Sequence, residues 1–466
     1  MSPLWTSAEI EAATGGRASV PFEVSGVTFD SREVEPGHLF VAMPGTVADG
    51  HDFVAGAFEA GATGALVSQP GANGENWGPH VVVEDVPAAL TALAVAARAR
   101  MSGPVIGVTG SVGKTSTKEA LFAALDRAWP GRVHRSVKSY NNHTGVPLSL
   151  ARMPRDARVA VLEMGMNHAG EIAQLTRLVR PNVALITTIA SAHIEQLGSI
   201  EAIADAKAEI FAGLEANGQG IGGVAIVPED SPWRDRLVKA ARGRADRTIT
   251  FGAGDADVAA IHSVRAGNGG SLVTARLLNS ELTFTIAQRG DHWVSNALAV
   301  LAAVEAVGGD PALAGLALAD MGGLKGRGER HRVAADGGDY LLIDESYNAN
   351  PASMAATLKS LGEEPEVMRR IAVLGPMREL GDETVRAHAA LADAVRQAHI
   401  DWLILVGPEM ESLAEALGGA VPLERASDAE GAAALLKVAA RPGDAVLVKA
   451  SNSIGLARLV ERVARV

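Results

Sequence analysis

The sequence predicts an α/β protein of three domains, in which helices flank mostly parallel sheets. Its 466 residues correspond to about three domains at roughly 150 residues each. Hydrophobic residues make up 47% of the chain and charged residues 21%, so packed cores are expected and a disordered or fibrous protein is excluded. From about residue 103 onward, short apolar runs alternate with amphipathic helical patterns, which is typical of βαβ units. We place the domain boundaries after residues 102 and 323.

The first domain, residues 1–102, is predicted to be a small α/β module. Thr6 and Glu9 have the spacing of a capping box, so a short helix should follow Thr6. The predicted strands lie within Val20 to Phe29, His38 to Ala42, Gly64 to Val67 and His80 to Val83, and an Ala-rich helix is predicted from Pro87 to Met101.

The central domain, residues 103–323, is predicted to contain a doubly wound sheet. Gly103 and Pro104 end the preceding helix, and the apolar run Val105 to Thr109 suits a strand buried on both faces. The alternation then continues with a strand from Arg158 to Leu162, a helix from Gly170 to Arg180, a strand from Val183 to Thr188, a helix from Ser199 to Ala216 and a strand from Val224 to Val227. Short alternating runs at Val258 to His262, Ser271 to Ala275 and Leu282 to Ile286 indicate an antiparallel addition, and a helix follows from Trp293 to Val307.

The third domain, residues 324–466, follows a glycine-rich segment. Glycines at 322, 323, 326 and 328 suit a hinge, because glycine tolerates large changes in φ and ψ. Strands are predicted at Tyr340 to Asp344, Ile371 to Leu374, Trp402 to Val406 and Ala445 to Val448, with helices at Ser353 to Leu361, Val385 to Gln397, Glu409 to Leu417, Ala429 to Ala439 and Ile454 to Ala464. This alternation predicts a Rossmann-like domain. It lacks a G-x-G-x-x-G run after its first strand, so dinucleotide binding has no support.

Composition excludes several classes of protein. The net charge of -12 argues against a broad nucleic-acid footprint or an anionic membrane surface. The absence of cysteine excludes disulfides, thiol catalysis and thiolate-ligated metals. The longest apolar stretch is well short of the roughly 20 residues that a membrane span requires, and the amino terminus does not resemble a signal peptide. We therefore expect a cytoplasmic, monomeric protein that binds no nucleic acid and does not insert into membranes.

The strongest local motif runs from Gly110 to Ser116 and has the form G-S-V-G-K-T-S between a strand and a helix. Glycines allow backbone amides to turn toward a polyphosphate, and the helix N-terminus adds partial positive charge. Lys114 can reach phosphate oxygens, and the Thr115 hydroxyl can hold Mg²⁺. A first glycine expected at position 108 is replaced by Val108, so the motif is a shorter variant. It predicts an ATP site formed by Gly110, Ser111, Gly113, Lys114, Thr115 and Ser116.

Two further residues suit metal and phosphate chemistry, and a third does not on its local pattern alone. Glu163 and His193 follow apolar strands, and the carboxyl ends of parallel strands are where open α/β sheets bind ligands. A carboxylate and an imidazole are possible ligands for a divalent cation, although each also suits a polar cap on a strand end. Lys207, on its own pattern, is an ordinary solvated helix lysine.

Several motifs, in this order, make the chain resemble the Mur ligases over nearly its whole length. They are Thr109 to Ser116, the Y-N-N-H-T-G-V-P run at 140–147, L-E-M-G at 162–165, A-H-I-E at 192–195, G-D-H at 290–292 with Asn296, and D-E-S-Y-N-A-N-P at 344–351. Three motifs resemble those of one branch of this family, the ligases that add D-alanyl-D-alanine to UDP-N-acetylmuramoyl-tripeptide. They are the run at 344–351, Asp30-Ser31-Arg32 and E-L-G at 379–381. The chain departs from the family pattern at Asn452 and Pro376, where many relatives carry arginine and aspartate.

The resemblance implies an amide ligase that uses ATP and Mg²⁺ and proceeds through an acyl phosphate. It implies catalytic roles for Lys114, Glu163, His193 and Lys207, with Thr115, Glu163, His193 and a carbamoylated Lys207 near the metal. It places Asn296 at the adenine, Arg327 at the phosphates and Asp344 at the ribose. It also places Ser31, Arg32 and Asn142 on the substrate side, the first two at the UDP sugar in the first domain, with Tyr347 and Asn348 near the incoming dipeptide.

Three alternatives remain at this point. A ligase that adds a single diamino acid should carry a D-N-P-R-like run in the third domain, and the sequence has none. A folate polyglutamate ligase would lack the module that contains Asp30-Ser31-Arg32. A non-catalytic nucleotide-binding scaffold on the same fold would not need Lys114, Glu163 and His193 intact.

Overall fold

The computed structural model describes residues 2–45, 48–70, 77–191, 194–216, 223–266 and 269–464. Three main sheets occupy successive stretches of the chain, together with a short two-stranded ribbon. None of the described helices combines the length and hydropathy that crossing a bilayer requires. The predicted α/β fold class, with its mostly parallel sheets, is confirmed. The boundaries after residues 102 and 323 stay predictions.

The N-terminal module is built on a five-stranded sheet in the order β2-β7-β6-β5-β4. Its strands and helices are β1 (Trp5–Thr6), α1 (Ser7–Thr14), β2 (Arg17–Ala18), β3 (Glu23–Val24), β4 (Gly26–Thr28), β5 (His38–Val41), α2 (Val54–Glu59), β6 (Gly64–Val67), β7 (His80–Val82) and α3 (Val86–Arg100). The capping box predicted at Thr6 and Glu9 is present at the start of α1. The strand predicted from Val20 to Phe29 is divided in two, because β3 pairs with β1 whereas β4 pairs with β5.

The central domain contains a nine-stranded sheet in the order β16-β15-β14-β13-β12-β11-β8-β10-β9. Its strands are β8 (Val105–Thr109), β9 (Val133–Arg135), β10 (Val159–Glu163), β11 (Val183–Ile186), β12 (Val224–Pro228), β13 (Arg247–Gly252), β14 (Val258–Arg265), β15 (Ser271–Arg276) and β16 (Glu281–Ile286). Its helices are α4 (Lys114–Ala128), α5 (Gly145–Ala151), α6 (Glu171–Val179), α7 (Ile194–Leu197), α8 (Ile200–Ala208), α9 (Arg234–Ala241), α10 (Asp291–Ala306) and α11 (Pro311–Asp320). The strands β8 to β14 pair in parallel, and β15 and β16 form the predicted antiparallel addition.

The two faces of this sheet are buried by different layers. Along β8, Val105 packs on the face that α3 and α5 cover, whereas Ile106 and Val108 pack on the face that α4 and α10 cover. A strand covered on both faces needs an unbroken apolar run, which explains why its bounds match the sequence prediction. The helix predicted from Ser199 to Ala216 is too long, since α8 ends at Ala208 and a 3₁₀ turn occupies Glu209–Gly213.

The C-terminal domain has a six-stranded sheet in the order β17-β18-β22-β19-β20-β21. Its elements are β17 (Glu329–Ala335), β18 (Gly338–Glu345), α12 (Pro351–Gly362), β19 (Arg370–Leu374), α13 (Thr384–Gln397), β20 (Trp402–Val406), α14 (Glu411–Leu417), β21 (Leu423–Ala426), α15 (Ala429–Ala439), β22 (Ala445–Lys449) and α16 (Ala457–Ala464). Only β17 runs antiparallel to its neighbour in this sheet. The carboxyl ends of β18 and β22 therefore lie side by side.

Candidate active site at the junction of two domains

A glycine-rich loop joins β8 to α4 and is fixed against the next strand. Ser111 donates its backbone N–H to Thr188 O at 2.7 Å, and its hydroxyl donates to Ala190 O at 2.9 Å. Gly110 has φ +150°, and a Cβ at this position would lie 1.9 Å from the Thr187 hydroxyl oxygen. Gly113 has φ +87°, and a Cβ there would lie 2.9 Å from Asn296 Oδ1. Both positions therefore require glycine, and the loop approaches α10 closely.

Lys114 is the first residue of α4 and faces a cavity at the end of the sheet. Its Nζ donates to Gly110 O at 2.7 Å. Burial lowers the pKa of Lys114, the Glu163 carboxylate opposes that shift, and the Arg327 cation adds to it. An ammonium beside a guanidinium at a helix N-terminus creates a place that favours an anion.

Glu163, the last residue of β10, is almost fully buried and forms hydrogen bonds to two side chains of the cavity wall. The Thr115 hydroxyl donates to Glu163 Oε2 at 2.9 Å, and Asn141 Nδ2 donates to Oε1 at 2.7 Å. The buried Lys118 ammonium lies 3.9 Å from Oε2. A hydroxyl and a carboxylate thus meet directly beside the glycine-rich loop between β8 and α4, called the phosphate loop below after its predicted ligand, and Glu163 stands at a strand end as the sequence indicated.

The C-terminal domain supplies the opposite wall through Gly326 and Arg327 of the glycine-rich segment and through the residues at the ends of β18 and β22. The Arg327 guanidinium lies 4.2 Å from the centroid of the Tyr347 ring, and its Nη2 is 3.5 Å from Ser139 Oγ of the central domain. Lys449 is buried and donates to Asn348 O at 2.9 Å, with Glu345 Oε2 at 3.5 Å. Burial lowers the pKa of Lys449 and raises the pKa of Glu345, although each charge opposes the shift of the other.

Between these walls lies a cavity of about 560 Å³. Both domains contribute to it, and the central domain does so in part through His292, Trp293 and Asn296 at the start of α10. A volume of this size can hold a nucleotide-sized ligand. Because two domains form the walls, the site is complete only in an arrangement that brings them together.

Lys207 and Asp344 are buried next to this site. The Lys207 side chain on α8 is only 1% exposed. The prediction of a solvated surface lysine, made from its local pattern, is therefore wrong. Burial and the neighbouring Lys114 cation lower the pKa of Lys207 well below its usual value. Asp344 is 2% exposed, and its two oxygens accept backbone N–H groups of Gly326 and Ser346 at 2.9 and 3.0 Å. Asp344 therefore shapes the hinge segment that carries Arg327.

The N-terminal turn predicted to contact a sugar nucleotide lies outside the cavity lining. Asp30 caps a 3₁₀ turn over Ser31–Glu33 and pairs with the guanidinium of Arg32 at 2.7 Å. Hydrogen bonds from Arg32 lower the pKa of Asp30 to about 2, against the effect of burial. Since the Arg32 side chain is 86% exposed, it stands at the surface of the N-terminal module.

Comparison with known proteins accounts for this arrangement. Family models described as "Mur ligase family, catalytic domain", "Mur ligase middle domain" and "Mur ligase, glutamate ligase domain" match residues 23–101, 108–304 and 326–452. A UDP-N-acetylmuramoyl-tripeptide--D-alanyl-D-alanine ligase of Synechocystis is 34% identical over 96% of this chain and 93% of its own length. The chain belongs to the Mur ligase family. A Bacillus subtilis ligase of the same name is also 34% identical, over 97% of this Mur ligase and 96% of its own length.

Solved structures are similar to this Mur ligase over almost the whole chain. The crystal structure of MurF from Acinetobacter baumannii has a TM-score of 0.83 and 28% identity, and the match covers 100% of both chains. The structure of MurF from Thermotoga maritima in complex with ADP has a TM-score of 0.76 and 27% identity, covering 94% of this chain and 97% of that one.

Most of the predicted site residues line one cavity of this Mur ligase. Those that do are Ser111, Gly113, Lys114, Thr115, Ser116, Asn142, Glu163, Asn296, Arg327, Tyr347 and Asn348. Four predicted residues with described positions, Ser31, Arg32, Asp344 and Lys207, are absent from the lining, as is Gly110 at the base of the loop. His193 lies outside the described residues. The roles assigned to all of these residues stay predictions.

Sequence reasoning gave no role to four residues that help to form the site, namely Ser139, Asn141, Glu345 and Lys449. Glu345 and Lys449 end the parallel strands β18 and β22, so the strand-end rule that selected Glu163 would have found them too. Asn141 precedes the predicted Asn142. The Oδ1 atom of Asn142 accepts the N–H of Gly145 at 2.9 Å, so this side chain caps the start of α5.

The described residues offer two places for a metal ion. Thr115 and Glu163 present oxygen atoms at the phosphate loop, and oxygen is the ligand that Mg²⁺ prefers. Glu329, His331 and Asp344 have potential ligand atoms within 4.8 Å of one another on the β17–β18 hairpin. Both Asp344 oxygens there already accept backbone amides. The geometry thus favours the first place for chemistry on phosphate.

Proposed function

We propose that this chain is an ATP-dependent ligase that joins D-alanyl-D-alanine to UDP-N-acetylmuramoyl-tripeptide and releases ADP and phosphate. The observation that carries the proposal is the interdomain cavity, where a phosphate loop, the Thr115–Glu163 pair and the Arg327 cation face one space. The curated relatives bear this activity in their names. A ligase adding a single diamino acid is not favoured, since the solved ligase for 2,6-diaminopimelate is only 19% identical, with a TM-score of 0.51.

Amide formation from a carboxylate needs an activated acyl group, because oxide is a poor leaving group. In the proposed reaction, a carboxylate oxygen of the tripeptide attacks the γ-phosphorus of ATP, and ADP leaves. The amine of D-alanyl-D-alanine then attacks the acyl carbon of the acyl phosphate. Phosphate departs with the bonding electrons, and the nitrogen loses a proton. The enzyme must therefore hold two anions together and stabilise charge on the transferred phosphoryl group.

The chain has cations on both sides of the proposed phosphate position. Lys114 and the backbone amides of the glycine-rich loop would bind the triphosphate from the central domain, and Arg327 would bind it from the C-terminal domain. Asn296 on α10 would contact the adenine, and Asp344 the ribose. Tyr347 and Asn348, which line the same wall as Lys449, would lie near the dipeptide.

We also propose that Mg²⁺ binds where the Thr115 hydroxyl meets the Glu163 carboxylate. Both groups carry hard oxygen donors beside the phosphate loop, so the residues present fit this ion. A bound Mg²⁺ would neutralise charge on phosphate oxygens and orient them. Asn141 holds the second Glu163 oxygen and so fixes the direction of the carboxylate. His193 and a carbamoylated Lys207 complete the proposed set.

Glu163→Gln is expected to raise the Mg²⁺ concentration for half-maximal activity by at least about tenfold. The ATP KM at saturating Mg²⁺ should change less, because a metal ligand is lost rather than a nucleotide contact. Mg²⁺ titrations of initial rate at fixed ATP measure this shift. Glu171→Gln is the control, because Glu171 also lines the cavity but accepts the backbone N–H of Asn167 at the start of α6. An unchanged titration of Glu163→Gln would contradict the assignment, and His193→Ala tests the predicted second ligand in the same way.

Phosphate release across a small matrix of substrates tests the proposed function. UDP-N-acetylmuramoyl-dipeptide, and UDP-N-acetylmuramoyl-tripeptides ending in either lysine or diaminopimelate, are each combined with D-alanyl-D-alanine, D-alanyl-D-lactate or a single diamino acid. We expect release, and a pentapeptide product by mass spectrometry, with D-alanyl-D-alanine. Release only with UDP-N-acetylmuramoyl-dipeptide and a diamino acid, or no turnover with any pair, would overturn the proposal.

Ligands are expected to stabilise the compact arrangement of the central and C-terminal domains. Arg327 contacts Ser139 across the junction, and Lys359 of α12 pairs with Asp291 of α10 at 2.5 Å, so both contacts require the two domains to be close together. Small-angle scattering should show a smaller radius of gyration when a non-hydrolysable ATP analogue and the UDP-muropeptide are added together. An identical radius with and without both ligands would contradict the hinge.

A further inference from the structure

The segment from Ser136 to Asn141 lies between β9 and α5 and contacts the phosphate loop, helix α4 and the N-terminal module. It faces the phosphate loop on one side and the N-terminal module on another. Lys138 adopts φ +52°, an uncommon conformation for a residue other than glycine. Such a backbone persists only where the surroundings hold it, so the contacts of this segment determine its shape.

Toward the cavity, two side chains of this segment hold the residues proposed to bind Mg²⁺. Asn141 donates to Glu163 Oε1 at 2.7 Å, and Ser139 Oγ lies 3.4 Å from the Thr115 hydroxyl. Asn141 O also accepts the N–H of Gly165 at 2.8 Å, next to Met164 and Glu163. A shift of this segment would therefore move ligands at the phosphate site.

Beneath the segment, α4 supplies a buried cation. Lys118 is fully buried, and its Nζ donates to Ser136 O at 2.9 Å and to Lys138 O at 2.6 Å. These bonds fix one end of the segment to the helix that begins at the phosphate loop. Asn141 fixes the other end, and the side chains of Lys138 and Tyr140 contact the N-terminal module.

That contact is made by Glu33, the last residue of the turn that contains Ser31 and Arg32. Its carboxylate accepts a hydrogen bond from Lys138 Nζ and one from Tyr140 OH at 3.2 Å, and Arg152 Nη2 lies 3.7 Å away. The Phe29 ring packs on Tyr140 with centroids 5.5 Å apart. Glu33 is 21% exposed, and despite burial the hydrogen bond from Lys138 lowers its pKa, so it is anionic at neutral pH.

We propose that Glu33 is a positioning residue that couples sugar-nucleotide binding at the Ser31–Arg32 turn to the phosphate site, acting through Lys138 and Tyr140. The inference rests on the proposed function and on the prediction, made from the family resemblance, that Ser31 and Arg32 hold the UDP sugar. A ligand that orders the turn also orders Glu33, which fixes residues 138–141 and hence Glu163 and Thr115. Muropeptide binding should therefore raise the affinity for ADP, and because linkage is reciprocal, ADP should raise the affinity for the muropeptide by the same factor.

The test measures binding rather than turnover. Calorimetric titration of ADP in the presence of Mg²⁺ is performed on the full chain with and without saturating UDP-N-acetylmuramoyl-tripeptide. In the unmodified protein we expect the muropeptide to tighten ADP binding by about fivefold or more. In Glu33→Gln the factor should fall below about twofold, with ADP affinity in the absence of muropeptide unchanged. Lys138→Met removes the partner from the other domain and should give the same loss, even if Glu33→Gln weakens muropeptide binding itself.

Arg155→Gln is the matched control. Arg155 pairs with Glu9 at 2.5 Å across the same two domains but does not touch the 136–141 segment, so the coupling factor should stay at its unmodified value. Three results would overturn the proposal: no coupling in the unmodified protein, full coupling in Glu33→Gln, or equal loss in Arg155→Gln. Failure of the proposed function would instead appear as absence of the amide product in the unmodified protein.

Discussion

Lys114→Ala is expected to lower kcat/KM for ligation by at least about a thousandfold, because it removes a cation that faces the developing charge on the γ-phosphoryl group. Affinity for UDP-muropeptide measured without nucleotide should stay within a few fold, since the residues proposed to hold the sugar nucleotide lie in another domain. Initial rates of phosphate release and calorimetric titration of the muropeptide measure the two quantities on one preparation.

The control for this substitution is Lys239→Ala. Lys239 is an exposed lysine of α9 in the same domain and does not line the cavity, so its removal should leave both quantities unchanged. A collapse of muropeptide affinity in Lys114→Ala would show that the two ligands are not held by separate domains. Retention of near-normal turnover would remove Lys114 from the proposed phosphate site.

Elements with strong local patterns could be predicted closely from the sequence. The bounds of β8 and α15 match the predicted runs, because β8 is buried along its whole length and α15 is capped by Asp428. In such segments the local preference and the tertiary environment agree. The alternation of these segments was sufficient to predict three α/β units.

Elements that depend on distant partners were missed. Residues of α5 are buried on every side, so the helix has no polar face and shows no amphipathic period. The strand β17 has a single buried residue, Val333, and its charged residues form a strand by pairing with β18. β9 has three residues, too few for a pattern to stand out.

The site residues divide in the same way, into those with a local sequence signal and those whose position depends on distant partners. The glycine-rich loop and Glu163, which line one cavity, could be selected from the sequence because a motif and a strand end are local features. The burial of Lys207 was not predictable from α8 itself, since that burial depends on packing against the rest of the domain. The contact of Glu33 with Lys138 joins residues 105 positions apart, and no periodic pattern relates them.

Lys207 carries the second large expected effect, and its surroundings supply the chemical reason. A buried ammonium beside Lys114 and a proposed Mg²⁺ site is unfavourable, because like charges repel and burial penalises charge. Burial and Lys114 accordingly lower the pKa of Lys207 well below its usual value. The neutral amine so favoured is the form that attacks CO₂, giving a carbamate and releasing one proton. That product replaces a cation with an anion whose oxygens suit Mg²⁺.

Lys207→Ala should therefore lose nearly all ligase activity, by about a hundredfold or more, and recover part of it with added formate or acetate, which can supply the missing carboxylate oxygens. The unmodified enzyme should lose activity in CO₂-depleted buffer and regain it with bicarbonate. With ¹³CO₂, a carbamate resonance should appear in the unmodified protein and be absent from Lys207→Ala. Acetate should not rescue Lys114→Ala, because that variant lacks a cation rather than an anion. Near-normal turnover of Lys207→Ala, or no carbamate resonance in the active enzyme, would contradict this role for Lys207. Lys207 would then be a buried side chain that packs beside Lys114, and the phosphoryl step would depend on Lys114 and Glu163 alone.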